Sequence, residues 1–170
     1  TLVGLSNTTD TLLQSEIICL LDTLWLRDDN LGWDQALPLI KIGINHQDDS
    51  TKIKSAKLLY QLLDTKNIGI KYATVLLNTS DLAAIENITL RKIYLALLCG
   101  LSHLGHCLPK AIATAAQMSS NTSDELLNNH LRLLMRLAYK GKCVELAVDK
   151  MLEQQKNPLA VVQKALIDML

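Results

Sequence analysis

Leucine and its apolar companions recur along this chain at three- and four-residue intervals, and no segment alternates polar with apolar residues at a spacing of two. Those intervals put apolar side chains on one face of a helix, whereas period two would put them on one face of a strand. Between residues 10 and 26, Leu13, Ile17, Leu20, Leu21 and Leu24 share one face. Ile53, Ala56, Leu59, Tyr60 and Leu63 repeat the pattern. A chain patterned this way throughout is expected to be all-α. Composition agrees: 49% of the 170 residues are hydrophobic, 4% are aromatic, phenylalanine is absent, and there are only 7 Gly and 3 Pro. An apolar chain of zero formal charge buries enough surface to offset the entropy of folding, which excludes a disordered tail.

Turn residues cut the pattern into about nine helices, expected at 10–26, 33–45, 51–63, 68–77, 87–104, 108–118, 123–139, 142–155 and 158–170. A short helical piece is expected at 82–86. Pro109 suits a first helical turn, Pro38 either lies in a first turn or kinks its helix, and Gly105 and Gly141 suit helix ends. Four of the helices carry an apolar residue followed by basic or amide residues: Ile53-Lys54-Ser55-Ala56, Leu90-Arg91-Lys92-Ile93, Leu131-Arg132-Leu133-Leu134 and Val162-Gln163-Lys164-Ala165. Their starts lie 37, 41 and 31 residues apart, which suits two helices plus turns repeated about four times.

The segment from Ala36-Leu37-Pro38-Leu39-Ile40 through Asp48-Asp49-Ser50 to Ile53-Lys54-Ser55-Ala56-Lys57-Leu58-Leu59 resembles one repeat of the armadillo/HEAT superfamily. It has an early proline in the first helix, an acidic turn, and an apolar-basic-x-Ala second helix. Cys107-Leu108-Pro109 opens a second unit in the same style. The resemblance implies a single domain over residues 1–170, an α-solenoid wound as a right-handed superhelix of about four antiparallel helix pairs. It further implies a non-enzymatic protein-interaction scaffold whose second helices line a concave binding surface. Thr1 in place of methionine, and an apolar pattern still running at Leu170, suggest a piece of a longer subunit. Its last apolar stripe is expected to meet another repeat or a partner.

Charge is unevenly placed. Residues 1–50 hold 8 acidic and 2 basic residues, while 51–170 hold 9 acidic and 15 basic, so the zero is a cancellation of −6 and +6. Lys54, Lys57, Arg91, Lys92, Arg132 and Arg136 fall on second helices and are the expected partner-binding cations for an acidic or helical protein segment. The alternative is a nucleic-acid-binding repeat that uses the same basic ladder. Sparse aromatics weigh against it, because single-stranded nucleic acid binding interleaves stacking rings with cations. Trp25 and Trp33 flank an acidic turn and are expected either to cap the stack or to anchor a partner.

Chemistry-bearing motifs are few. Cys99, His103, His106 and Cys107 have zinc-type residue identities, but Gly105 falls between the histidines, so buried thiols at a helix end are the preferred reading over a metal site. Cys143 near Lys140 and Lys142 lacks a base, and the acidic pairs Glu16/Asp22 and Asp124/Glu125 suit helix starts and exposed faces. No glycine-rich phosphate loop is present. No cofactor and no enzymatic activity are expected. The sequons at Asn7, Asn78, Asn87 and Asn121 read first as helix caps. Four cysteines without disulfide spacing, and no run approaching the ~20 apolar residues of a membrane span, point to an intracellular protein, cytoplasmic or nuclear.

Overall fold

The computed structural model describes residues 10–25, 32–117 and 124–154. Among the described residues there are eight helices and no strand, with 80% of residues helical. They are α1 (Thr11–Trp25), α2 (Trp33–Ile44), α3 (Asp49–Lys66), α4 (Ile70–Thr79), α5 (Ile88–His103), α6 (Leu108–Ala116), α7 (Asp124–Tyr139) and α8 (Val144–Gln154). The helix expected at 158–170 and the sequons at Asn7 and Asn121 lie outside the described residues.

Local chemistry sets the helix ends. Asp48 caps α3, its carboxylate accepting from the Thr51 amide and hydroxyl, each at 2.8 Å. These hydrogen bonds hold the Asp48 carboxyl below the usual carboxylate range. Asn87 caps α5 by accepting from Leu90 N at 3.1 Å, which matches the capping reading of that sequon. Helix α3 runs three residues beyond the expected Leu63, because the left-handed Asn67 (φ 54°) supplies the stop. The short helix expected at 82–86 is absent. Asp81 accepts from Ala83 N at 3.0 Å, so its side chain competes with a helical turn that is too short to nucleate alone.

The chain divides into two compact units, Thr1–Ala73 and Thr74–Leu170, and the boundary falls inside α4. In the first unit α1, α2 and α3 each pack on the other two. Ile18 and Leu21, Trp33 and Ile40, and Leu58, Leu59 and Leu62 meet there, each at most 2% exposed. Burying each of the aliphatic side chains is worth ~1.5–3 kcal/mol. In the second unit α5, α6 and α7 pack mutually, and α8 lies against α7. Leu95, Leu97, Leu98 and Leu101 of α5 and Leu131, Leu133, Leu134 and Leu137 of α7 are buried, with Ala111 and Ala115 from α6.

One turn recurs. Helices α3, α5 and α7 each end in a residue of positive φ, one intervening residue, and a second of positive φ. The three copies are Asn67 (54°), Ile68, Gly69 (82°); Gly105 (88°), His106, Cys107 (54°); and Gly141 (68°), Lys142, Cys143 (55°). In each copy the carbonyl of the second left-handed residue accepts from an alanine four positions on. The bonds are Ala73 N to Gly69 O at 2.8 Å, Ala111 N to Cys107 O at 2.9 Å and Ala147 N to Cys143 O at 2.9 Å. Those alanines are 0%, 0% and 3% exposed. The leucines four and eight residues before each turn are Leu63 and Leu59, Leu101 and Leu97, and Leu137 and Leu133, none above 2%.

A long helix, this turn and a shorter helix therefore repeat at intervals of 38 and 36 residues. The long members have 18, 16 and 16 residues and the short ones 10, 9 and 11. In the sequence, Asn30-Leu31-Gly32 stands 37 residues before Asn67-Ile68-Gly69 and leads to the fully buried Ala36. Asn30 and Leu31 are outside the described residues, and Gly32 has an ordinary φ of −67°.

Candidate functional site

The cations expected to bind a partner are placed in three different ways. Lys54 of α3 points its ammonium at Cys19 of α1, with Nζ 2.9 Å from Sγ, and this contact holds the Lys54 pKa above its ordinary value. Lys57 lies 4.0 Å from Asp22. Arg91 serves the loop ahead of α5: Nε donates to the Ile85 carbonyl at 2.8 Å, and Nη2 donates to that carbonyl and, at 3.0 Å, to Ala83 O. Lys92 follows on the same helix, and its carbonyl accepts from Asn129 of α7 at 3.2 Å. Arg132 is exposed and Arg136 half-buried on α7, one helical turn apart. The Arg136 guanidinium lies against Cys99.

The tryptophans meet edge to face, with ring centroids 4.9 Å apart at 70°. Trp33 is only 2% exposed, so its ring belongs to the core of the first unit. Trp25 keeps some surface, and the Lys66 ammonium sits 5.8 Å above it. Within the first unit, α1 and α2 border an open depression of about 420 Å³ lined by Thr11, Gln14, Lys41, Ile42, Asn45, His46 and Gln47. Its imidazole is committed on both sides. Nδ1 accepts from Asp48 N at 3.0 Å, so Nε2 is the protonated nitrogen that donates to Thr11 O at 3.1 Å. Asn45 Nδ2 donates to Lys41 O at 2.9 Å.

The Cys/His cluster is not assembled. Cys99 faces Arg136 on α7, and Cys107 donates to Thr74 O at 3.8 Å. Among the described residues no group of three or more His, Cys, Asp or Glu is arranged to hold a metal ion. Burial pushes both thiols up, against the opposing pull of Arg136 and Arg132 on Cys99 and of the Thr74 side chain on Cys107. Both remain thiols at neutral pH, which makes them poor nucleophiles. Among the described residues no helix is long and apolar enough to cross a membrane.

Two surface features escaped the sequence reading. Val144, Val148 and Leu152 of α8, at spacing i, i+4, i+8, are 48%, 48% and 59% exposed. Their repeat equivalents in the earlier short helices are less open at the first two positions: Trp33 is buried, and Leu37, Ile70, Thr74, Leu108 and Ile112 are no more than half-buried. Tyr139, in the last turn of α7, is 87% exposed. Their spacing puts Val144, Val148 and Leu152 on one face of α8, but only their exposure shows that this face stands open. No protein-family model, curated protein or solved structure matches this chain.

Proposed function

We propose that this chain is a non-enzymatic protein-interaction scaffold of armadillo/HEAT-like helical pairs, wound as a right-handed solenoid, that serves within an intracellular multi-subunit complex. One observation carries the reading: in the last described repeat, Val144 and Val148 are open at register positions that earlier repeats cover, and Leu152 extends the same stripe. A helical repeat buries its apolar stripe against the next repeat, and an uncovered stripe is a docking face for a further helical element. The inward-bonded imidazole and the buried thiols fit a binding role better than a catalytic one.

The test is a comparison of proteins co-purifying with the full-length protein and with its V148E/L152E variant. Circular dichroism checks that both are equally helical. Loss of a stoichiometric partner from the variant supports the reading. An unchanged set of partners removes α8 as the docking face.

A further inference from the structure

Nearly every described cation outside one short stretch has a partner inside the protein. Lys52, Lys57 and Lys150 pair with carboxylates, Arg91 and Lys110 donate to carbonyls, Lys41 and Lys66 sit over aromatic rings, and Lys54 meets a thiol. Lys92 is engaged as well. Among the described residues, Lys140 and Lys142 have no such partner, and Arg132 and Arg136 have only the neutral thiol of Cys99, on which both act. Among the described residues Lys71, in the first unit, is the one other cation without a partner.

The repeat register sharpens this. Nine and five residues before the turn, α3 has Leu58 and Leu62, both fully buried, and α5 has Ala96 and Gly100. Helix α7 has Arg132 and Arg136 there. Like charges one turn apart repel each other and weaken a helix. Dipole complementarity near the helix C-terminus explains a cation at Arg136 or Lys140, but not at Arg132 in mid-helix. The exposed Tyr139 ring completes the patch, offering the kind of amphipathic surface that anchors protein contacts.

We infer that the stripe formed by Arg132 and Arg136 of α7 and by Lys140, the residue that follows its last turn, binds an extended acidic segment of a protein partner, with carboxylates on alternate residues. Successive members of the stripe are four residues apart, a rise of about 6 Å. Alternate side chains of an extended chain are spaced by about 6.6 Å, so each acid meets one cation. Arginine forks grip carboxylates in two-point contacts, and Tyr139 packs on the side chain between acids. The inference rests on the interaction-scaffold reading and names a partner class for a second face, separate from the α8 apolar stripe.

Fluorescence anisotropy with a labelled twelve-residue peptide of alternating Glu and Ser tests it on the full-length protein. The expected result is saturable binding that weakens tenfold or more in R132Q/R136Q and less than twofold in K52Q/K71Q, which loses the same net charge. A peptide of equal composition with its glutamates grouped in one block should bind at least threefold more weakly. Absence of saturable binding, equal losses in the two variants, or equal affinity for the blocked peptide would overturn the inference. So would tighter, arginine-dependent binding of a single-stranded oligonucleotide with a steep salt dependence. The two readings fail separately: a partner lost from V148E/L152E with no peptide binding leaves the scaffold reading standing and removes the acidic-segment surface.

Discussion

A Cβ added at Gly43 of α2 would stand 2.0 Å from Ser55 Oγ of α3 and 2.9 Å from Ile18 Cγ1 of α1. The three helices of the first unit approach one another through the missing side chain. Ser55 is fixed by its own bond to Thr51 O at 2.8 Å and is fully buried, so it cannot swing aside freely. Gly43→Ala is expected to destabilise the protein by ~2–3 kcal/mol despite its better helix propensity. Urea unfolding followed by circular dichroism measures it, and a cost under half a kilocalorie would mean the helices separate easily.

Arg91 tethers the 82–87 connection through its guanidinium. Arg91→Ala should cost about 1 kcal/mol, since partly exposed charge-assisted bonds are lost. Amide exchange should quicken across 82–87 while α5 stays protected. Lysine should restore little, because one ammonium cannot fork to two carbonyls.

His130 of α7 donates from Nδ1 to Leu126 O at 3.1 Å and is largely shielded from water. Burial, assisted by Arg91, holds its pKa below the ordinary 6.5, although the Leu126 bond opposes the shift. The native state therefore binds fewer protons than the unfolded chain. Its contribution to stability is complete above the unfolded pKa and is lost as pH falls below it toward the lowered folded value. The urea midpoint should drop between pH 7 and pH 5, and His130→Gln should flatten that drop. An unchanged slope would place the pH sensitivity elsewhere.

Cys143 and Cys107 hold the same left-handed conformation in different surroundings. Cys143 keeps some surface, whereas Cys107 is 8% exposed and bonded. Glycine removes ~1–2 kcal/mol of left-handed strain and returns part of it as unfolded-state entropy. Cys143→Gly should raise stability by about 0.5–1 kcal/mol. Cys107→Gly gains the same relief but loses a buried thiol, so its net change should be near zero or negative. Equal gains at both sites would show that the thiol contributes nothing.

The helices were legible because leucine spacing, caps and glycine stops act locally. The repeat was glimpsed out of register. Ile53, Leu90 and Leu131 stand 14, 15 and 10 residues before their turns, so the intervals counted from them came out uneven. The turn itself hid in chemistry: asparagine, glycine and cysteine fill equivalent positions and share only a backbone angle. The basic ladder was visible as composition, but which cations already have partners depends on through-space contacts. Lys54 on Cys19 and Arg91 on Ile85 look no different in sequence from Arg132. Divided at Ala73, the −6 and +6 of the sequence halves become −2 and +2, because Lys52, Lys54, Lys57, Lys66 and Lys71 belong with the acidic first unit.

The shared turn gives the chain a grammar of interchangeable clauses. Cutting after Asn67 and resuming after Gly105 joins α3 to α6 through a junction of the same conformational kind, with a buried leucine before it and a buried alanine after it. Length in such a chain changes by whole units of 36 to 38 residues. Gene duplication or loss can therefore lengthen or shorten the chain without inventing a new hydrophobic core.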